Sequence, residues 1–195
     1  SCQSLKSITV DEDNQYFCSI DGVLYSKDKS ILYYYPENDY SRTSYTIADG
    51  CTTIYPEAFS CAKVANIKMP DTVTSIGDSA FSCCFSLKSI EIPESVSFVG
   101  DYAFTGCTEL ADVNYYGTKN DWSKIYIGEE NTELINANIH YAKCDINVGN
   151  SENGNIKISD EVLSTIATIA VSEIDGVAGM GGSFTGDIAE KFGKK

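Results

Sequence analysis

Three stretches of the sequence repeat one skeleton at an interval of 22 or 23 residues. Each contains an Ala-Phe pair, at Ala58, Ala80 and Ala103, followed by a cysteine and then by aliphatic residues. A fixed period in the twenties is typical of a solenoid, in which stacked copies bury one continuous core. The opening segment CQSLKSITV matches the segment CFSLKSIEI that begins at Cys84. We therefore expect the chain to begin inside a fourth copy and to be a fragment of a longer protein.

Each copy predicts a short strand with one buried face. Ile90 and Ile92 alternate with polar residues, and Pro93 ends the strand because proline has no N–H to donate. Stacked copies place these strands side by side in a parallel sheet. The Ala-Phe pair is predicted to lie on a short helical turn, with the phenylalanine in the interior. The inward positions of the four copies are Leu5, Ile8 and Val10; Val64, Ile67 and Met69; Leu87, Ile90 and Ile92; and Leu110, Val113 and Tyr115.

Residues 76–93 carry the pattern Ile-Gly-Asp-x-Ala-Phe-x-x-Cys-x-x-Leu-x-x-Ile-x-Ile-Pro. This pattern resembles the BspA-like leucine-rich repeats of bacterial surface proteins, and the resemblance extends over residues 1–141. It implies an α/β solenoid, a leucine-rich repeat stack with short parallel strands, a β-hairpin insertion and a C-terminal cap. A partial helical segment, predicted from the later residues, follows this solenoid. The copy at Ala58 departs from the pattern, since it is one residue short and Cys61 comes early.

Residues 14–47 resemble the hairpin insertion of that family. Asp21-Gly22 separates two short apolar runs, which predicts a two-residue hairpin turn, and a second turn precedes Ile31. The insertion is rich in tyrosine, a residue favoured in binding surfaces, so a binding patch is an alternative to plain packing. The tyrosines concerned are Tyr33, Tyr34, Tyr35, Tyr40 and Tyr45.

Residues 115–141 resemble the closing cap of such a solenoid. Thr118 with Asp121 predicts the start of a helix, because both side chains can bind its free N–H groups. Trp122 with Ile125 is expected to cover the apolar end of the stack.

The sequence changes character after residue 141. Residues 142–154 are polar and rich in glycine and asparagine, which indicates a linker. In residues 155–195, Ser159 and the apolar positions after it predict an amphipathic helix that ends at Gly176. The motifs ISDEV and EIDGV in this segment resemble the opening of the alkaline-shock protein domain of Gram-positive bacteria, without the strands that complete it. That resemblance implies a cytoplasmic protein, often envelope-associated, without known catalysis.

The charge of the chain argues against polyanionic partners. Its 28 acidic and 14 basic side chains give a net charge of −14, which repels nucleic acids and anionic lipid headgroups. No apolar run approaches the roughly 18 residues of a membrane-spanning helix, so no direct membrane insertion is expected. A content of 43% hydrophobic residues is enough for a buried core.

Four cysteines, Cys2, Cys61, Cys84 and Cys107, occupy repeat positions. A cysteine at a tight corner is most simply a small buried hydrophobic residue. The spacing of adjacent strands permits a disulfide between copies, although parallel side chains disfavour it. The Cys83-Cys84 pair has no second pair and no nearby histidine, so zinc is not expected. The off-repeat cysteines Cys18, Cys51 and Cys144 remain unassigned.

Catalytic chemistry finds no support in the sequence. His140 is the single histidine and is interpreted as a rim residue of the cap, and no nucleophile with a base is recognisable. The segment DEDN at residues 11–14 lacks the later EF-hand residues, which leaves a looser calcium site as an alternative to a solvated loop. We therefore expect no enzyme, no cofactor and no metal.

Exposed strand positions form the candidate site. A solenoid sheet commonly presents such a face to a partner, here a protein or glycan, and the family resemblance implies adhesion at the cell surface or outside the cell. The alternative is a cytoplasmic envelope-stress or scaffold protein located by its alkaline-shock segment. The residues predicted to bind the partner are Ser7, Thr9, Asn66, Lys68, Ser89, Glu91, Asp112 and Asn114.

Overall fold

The computed structural model of the protein describes residues 5–37, 39 and 42–144. The predictions for Cys2, Tyr40, most of the linker and the alkaline-shock-type segment lie outside these residues. The described strands are β1 Phe17–Ile20, β2 Val23–Ser26, β3 Ile31–Tyr34, β4 Ser44–Thr46, β5 Thr53–Ile54, β6 Asn66–Lys68, β7 Ser75–Ile76, β8 Ser89–Ile92, β9 Phe98–Val99, β10 Asp112–Tyr115, β11 Tyr126–Ile127 and β12 Asn138–Tyr141, and the helices are α1 Lys119–Trp122 and α2 Thr132–Asn136.

The predicted parallel stack is confirmed in a sheet of five strands. Its order is β4, β6, β8, β10 and β12, and every neighbouring pair is parallel. Ile67, Ile90 and Val113 lie side by side in register and are buried, while their neighbours along each strand face outward. This alternation is the period-two pattern of the sequence, with its apolar face on the core.

A second sheet was not predicted. It has the order β1, β2, β3, β5, β7, β9 and β11, antiparallel up to β3 and parallel from there on. Its strands in the repeats have only two residues each, such as Ser75–Ile76, with one buried aliphatic side chain per strand. Two residues are too few to show an alternation, so the sequence pattern does not reveal these strands.

The hairpin at Asp21-Gly22 is confirmed. Both residues have positive φ, 50° and 79°, as a type I′ turn requires, and β1 pairs with β2 in antiparallel register around them. The last strand of the predicted insertion, Ser44–Thr46, pairs with β6 in the five-stranded sheet as β4.

The predicted strand at Ile8 and Val10 is also wrong. Residues 5–10 form no strand, and the N–H of Ile8 donates to the carbonyl of Gly22 at 2.9 Å. The N–H of Val10 donates to Ser19 Oγ at 3.1 Å. This opening segment therefore packs on the hairpin, although its sequence matches that of a strand in the five-stranded sheet.

The phenylalanines of the Ala-Phe pairs form a stack of aromatic rings at one corner of the solenoid. Phe59, Phe81 and Phe104 are fully buried and lie nearly parallel at centroid distances of 5.0 Å, and Tyr35 continues the stack at 5.0 Å from Phe59. The interior position of the phenylalanines is confirmed. The predicted helical turn is wrong, because residues such as Ser79 and Cys83 on either side of the pair have positive φ, which a right-handed helix excludes.

The Gly-Asp motif before the corners of Phe81 and Phe104 joins one copy to the next. The N–H of Asp101 donates to Asp78 Oδ1 at 3.0 Å, and the N–H of Glu129 donates to Asp101 Oδ1 at 2.8 Å. A Cβ atom at Gly100 would lie 2.6 Å from the backbone nitrogen of Asp78 and would also clash with its Oδ1. The motif therefore needs glycine because the backbone and the carboxylate of the preceding copy occupy the space of a side chain.

The cap begins as predicted. Thr118 and Asp121 form a capping box at the start of α1, and Trp122 and Ile125 pack half-buried on the core. Two residues that the sequence pattern did not single out are more deeply buried, Leu134 at 0% exposure and Asn131 at 2%. Asn131 Oδ1 accepts a hydrogen bond from the N–H of Phe104 at 3.0 Å, where the corresponding N–H of Phe81 donates to the carbonyl of Ala103. The Asn131 side chain thus takes the place of the next repeat.

The repeat cysteines are packing residues at two different positions. Cys84 and Cys107 are buried, and their thiols donate to the carbonyls of Phe59 and Phe81 in the preceding copy at 2.9 and 3.0 Å. Cys61 is half-buried and has the same left-handed backbone conformation as Cys83. It therefore aligns with Cys83 and not with Cys84. The missing residue of that copy falls after Ala62, which occupies the buried cysteine position.

We expect Cys84→Ala to lower the free energy of unfolding by about 1 kcal/mol, since it leaves a small cavity and removes a weak hydrogen bond. Hydrogen bonding with the Cys107 thiol, and then burial, raise the pKa of Cys84, so its unreactive thiol form persists. In the native protein Cys84 should react with a thiol reagent more slowly than half-buried Cys83, as measured by mass spectrometry. Equal rates, or a native disulfide at Cys84, would contradict this prediction.

Candidate recognition surface

The outer face of the five-stranded sheet carries two straight rows of polar side chains, which we call the polar face. Parallel register aligns equivalent positions of all five strands, so side chains from chain segments more than 20 residues apart become neighbours. One row is Ser44, Asn66, Ser89, Asp112 and Asn138, and the other is Thr46, Lys68, Glu91, Asn114 and His140.

Six of the predicted binding residues come together on this face, namely Asn66, Lys68, Ser89, Glu91, Asp112 and Asn114. Ser7 and Thr9 do not, because their segment lies against the hairpin. Ser44 and Thr46 occupy the positions that had been expected for Ser7 and Thr9. Asn138 and His140 extend the rows at the other end. Ser44–Thr46 lies within the stretch that was predicted to be the hairpin insertion, so a strand of the stack was not expected there.

The second row is held together by an ion pair and a phenol. Lys68 Nζ lies 3.1 Å from Glu91 Oε2, and the Tyr116 hydroxyl donates to the same oxygen at 2.6 Å. The hydrogen bond with Glu91 raises the pKa of both Lys68 and Tyr116, so both stay protonated at neutral pH. Exposed pairs of this kind add little to stability, but they keep the side chains in a fixed arrangement.

The two rows are also bonded to each other. Asn114 Nδ2 donates to Ser89 Oγ at 3.3 Å, and His140 Nε2 lies 2.8 Å from Asp112 Oδ1. His140 is therefore paired with a carboxylate on an exposed surface. Among the described residues, no nucleophilic side chain is bonded to its ring. The polar face is therefore an array of hydrogen-bonded donors and acceptors that spans neighbouring strands.

The second sheet exposes aromatic rings. Tyr33 contacts Phe17 at a centroid distance of 5.4 Å and Tyr55 at 4.9 Å. The predicted tyrosine patch is only partly present, because Tyr35 and Tyr45 are buried in the core.

Comparison with known proteins shows which families the chain matches. Residues 29–169 match the sequence profile of the BspA type Leucine rich repeat region in six copies. The chain belongs to the BspA-type leucine-rich repeat family. Residues 148–195 match the profile of the alkaline-shock protein family, which is described as having a cell envelope-related function, so both predicted resemblances are confirmed.

Relatives and solved structures support each part separately. The chain is 51% identical over 41 residues to the uncharacterized protein YqhY of Bacillus subtilis strain 168, which covers 21% of this chain and 30% of that protein. A leucine-rich repeat protein of Eubacterium ventriosum has 32% identity and a TM-score of 0.55 over 60% of this chain and 32% of its own. A second, from Bacteroides capillosus, shares the fold at 20% identity and a TM-score of 0.52, over 65% of this chain and 99% of its own.

The chain spans about a third of the length of the first two of these proteins. Its repeats are those of bacterial surface-type proteins, a family whose solenoids are typically non-catalytic recognition modules. The two helices in residues 5–144, of four and five residues, are too short to cross a membrane.

Proposed function

We propose that the chain is a non-catalytic recognition and adhesion module of a bacterial cell-surface protein, and that its polar face binds a protein or glycan partner. The observation that carries the proposal is the bonded double row on a rigid parallel sheet. Binding requires ordering of the groups that contact the partner, and here the pairs Lys68 with Glu91 and Asp112 with His140 are ordered beforehand. The net charge of −14 disfavours nucleic acid as that partner.

The test is a paired substitution on the polar face. Lys68→Ala with Glu91→Ala removes one charge of each sign, so the net charge is unchanged, and both side chains are solvent-accessible. We expect binding of the chain to a panel of immobilised glycans and secreted proteins to weaken about tenfold or more for the partner it recognises, with a nearly unchanged melting temperature. The readout is biolayer interferometry on residues 1–195.

The matched control is Glu109→Ala with Lys119→Ala, which removes two exposed opposite charges outside the polar face. It should leave binding unchanged. A partner whose affinity does not differ between the two double variants would show that the polar face is not the recognition site. A large loss of stability in the first variant would mean that the pair holds the fold and not the partner.

The alkaline-shock family match over residues 148–195 supports a second candidate, a cytoplasmic envelope-stress or scaffold protein. The two candidates differ in location. Protease treatment of intact cells that produce the native protein should degrade the repeats if they lie outside the cell, and should spare them if the protein is cytoplasmic. A signal peptide encoded at the start of the full gene would also favour the surface.

A further inference from the structure

A cleft of about 430 Å³ lies at the cap end of the solenoid, where the chain passes from one sheet to the other. Tyr115 ends β10 of the five-stranded sheet, and Ser97 and Ile125 directly precede strands β9 and β11 of the second sheet. Asp121 and Lys124, from the start of the cap, complete one wall. None of these residues belongs to the polar face.

The Tyr115 hydroxyl is an unused polar group in this cleft. The residue is 1% exposed, and its ring is fixed edge-on against Trp122 at a centroid distance of 5.1 Å. No hydrogen bond within residues 5–37, 39 and 42–144 uses this hydroxyl, and its oxygen is not among the fully buried unpaired atoms, so it is accessible from the cleft. Burial, and then the charges of Asp121 and Glu94, raise the pKa of Tyr115, so the hydroxyl stays protonated and can donate.

The charged groups of the cleft are already neutralised in pairs. Asp121 accepts hydrogen bonds from Lys124 Nζ at 2.8 Å and from Thr118 Oγ1 at 2.7 Å, and these bonds lower its pKa to about 2. Glu94 is paired with Lys143. A charged ligand would have to break one of these pairs, whereas a neutral ligand rich in hydroxyl groups can donate to the carboxylates and accept from Tyr115 and Lys124.

Two stacked aromatic rings lie one residue along the chain from the cleft lining. Phe98 follows Ser97 and Tyr126 follows Ile125, and their rings stack at 5.3 Å with an interplanar angle of 9°. The two side chains are 40% and 58% exposed. A flat, exposed aromatic surface next to a few fixed polar groups suits the apolar C–H face of a sugar ring.

We propose that this cleft binds a neutral oligosaccharide, with one sugar hydrogen-bonded to Tyr115 and Asp121 and the next sugar stacked on Phe98 and Tyr126. Binding here uses residues other than those of the polar face, so it does not depend on recognition there.

The test is saturation-transfer NMR and calorimetry on the full chain with three probes, cellotetraose, maltotetraose and the tetramer of N-acetylglucosamine. We expect at least one probe to bind. Tyr115→Phe should weaken that binding about fivefold, as the loss of one hydrogen bond predicts, without lowering the melting temperature, because the ring and its packing remain. Phe98→Ala should also weaken it.

Tyr116→Phe is the matched control, since it removes the neighbouring hydroxyl, which bonds Glu91 on the polar face. It should leave probe binding unchanged. The proposal is overturned if none of the three probes binds at millimolar concentration, or if Tyr115→Phe and the control have equal effects. Loss of probe binding in the Lys68→Ala, Glu91→Ala variant alone would assign the sugar to the polar face and also overturn it.

Discussion

Replacing Phe81 by alanine will lower the free energy of unfolding by about 3–5 kcal/mol. The ring is fully buried and stacks at 5.0 Å on Phe59 on one side and on Phe104 on the other. The backbones of both neighbours are held by hydrogen bonds to the copy that follows or to the cap, such as that from the N–H of Phe59 to the carbonyl of Ala80, so they cannot close the cavity. Chemical denaturation followed by circular dichroism measures the change.

Phe85→Ala is the control for this loss. Phe85 lies in the same copy and is 50% exposed, and its ring contacts the ammonium group of Lys63 at 5.9 Å. Removing it should cost less than about 1 kcal/mol, as for other exposed side chains. Equal effects of the two substitutions would show that the aromatic stack is not the core of the solenoid.

Asn131→Ala will lower the free energy of unfolding by about 2–4 kcal/mol, an unusually large effect for a polar residue in a cap. Its Nδ2 donates to the carbonyls of Gly100, Gly128 and Glu129 at 2.9, 3.0 and 3.2 Å, and its Oδ1 accepts from Phe104. Alanine leaves the buried N–H of Phe104 without a partner. The change is measured in the same denaturation experiment.

Asn136→Ala provides the comparison, because Asn136 is exposed at the end of α2. It should change stability by about 0.5 kcal/mol or less. If Asn131→Ala were equally mild, the cap would not close the stack through this side chain. A loss confined to the last copy, detected by hydrogen exchange near Phe104, would agree with the nearest-neighbour stability of repeat proteins.

Features with a local cause could be predicted from the sequence. The strand at Ile90 and Ile92 follows from its alternation, the hairpin from Asp21-Gly22, and the helix start from Thr118 with Asp121, because each signal acts within four residues. The parallel stack follows from the period, since copies with the same apolar face can bury it only against one another. The same period brought most of the predicted binding residues onto one face.

Features that depend on distant neighbours were decided by the tertiary structure. Residues 5–10 have the sequence of a strand in the five-stranded sheet, but their backbone N–H groups donate to the hairpin instead. Ser7 and Thr9 therefore do not reach the polar face. Ser44–Thr46 becomes a strand because β6 offers it a parallel edge, not because three residues prefer that conformation.

The sequence by itself therefore determined the repeated unit, its buried face and the direction of stacking. The tertiary structure alone decided that Asn131 bonds the last copy at the closed end and which polar groups pair on the surface. The pairs Lys68 with Glu91 and Asp112 with His140 join residues 23 and 28 positions apart, and Asn131 reaches back 27 positions to Phe104. The physical reason is that such contacts depend on the register between copies, which no local preference of the chain encodes.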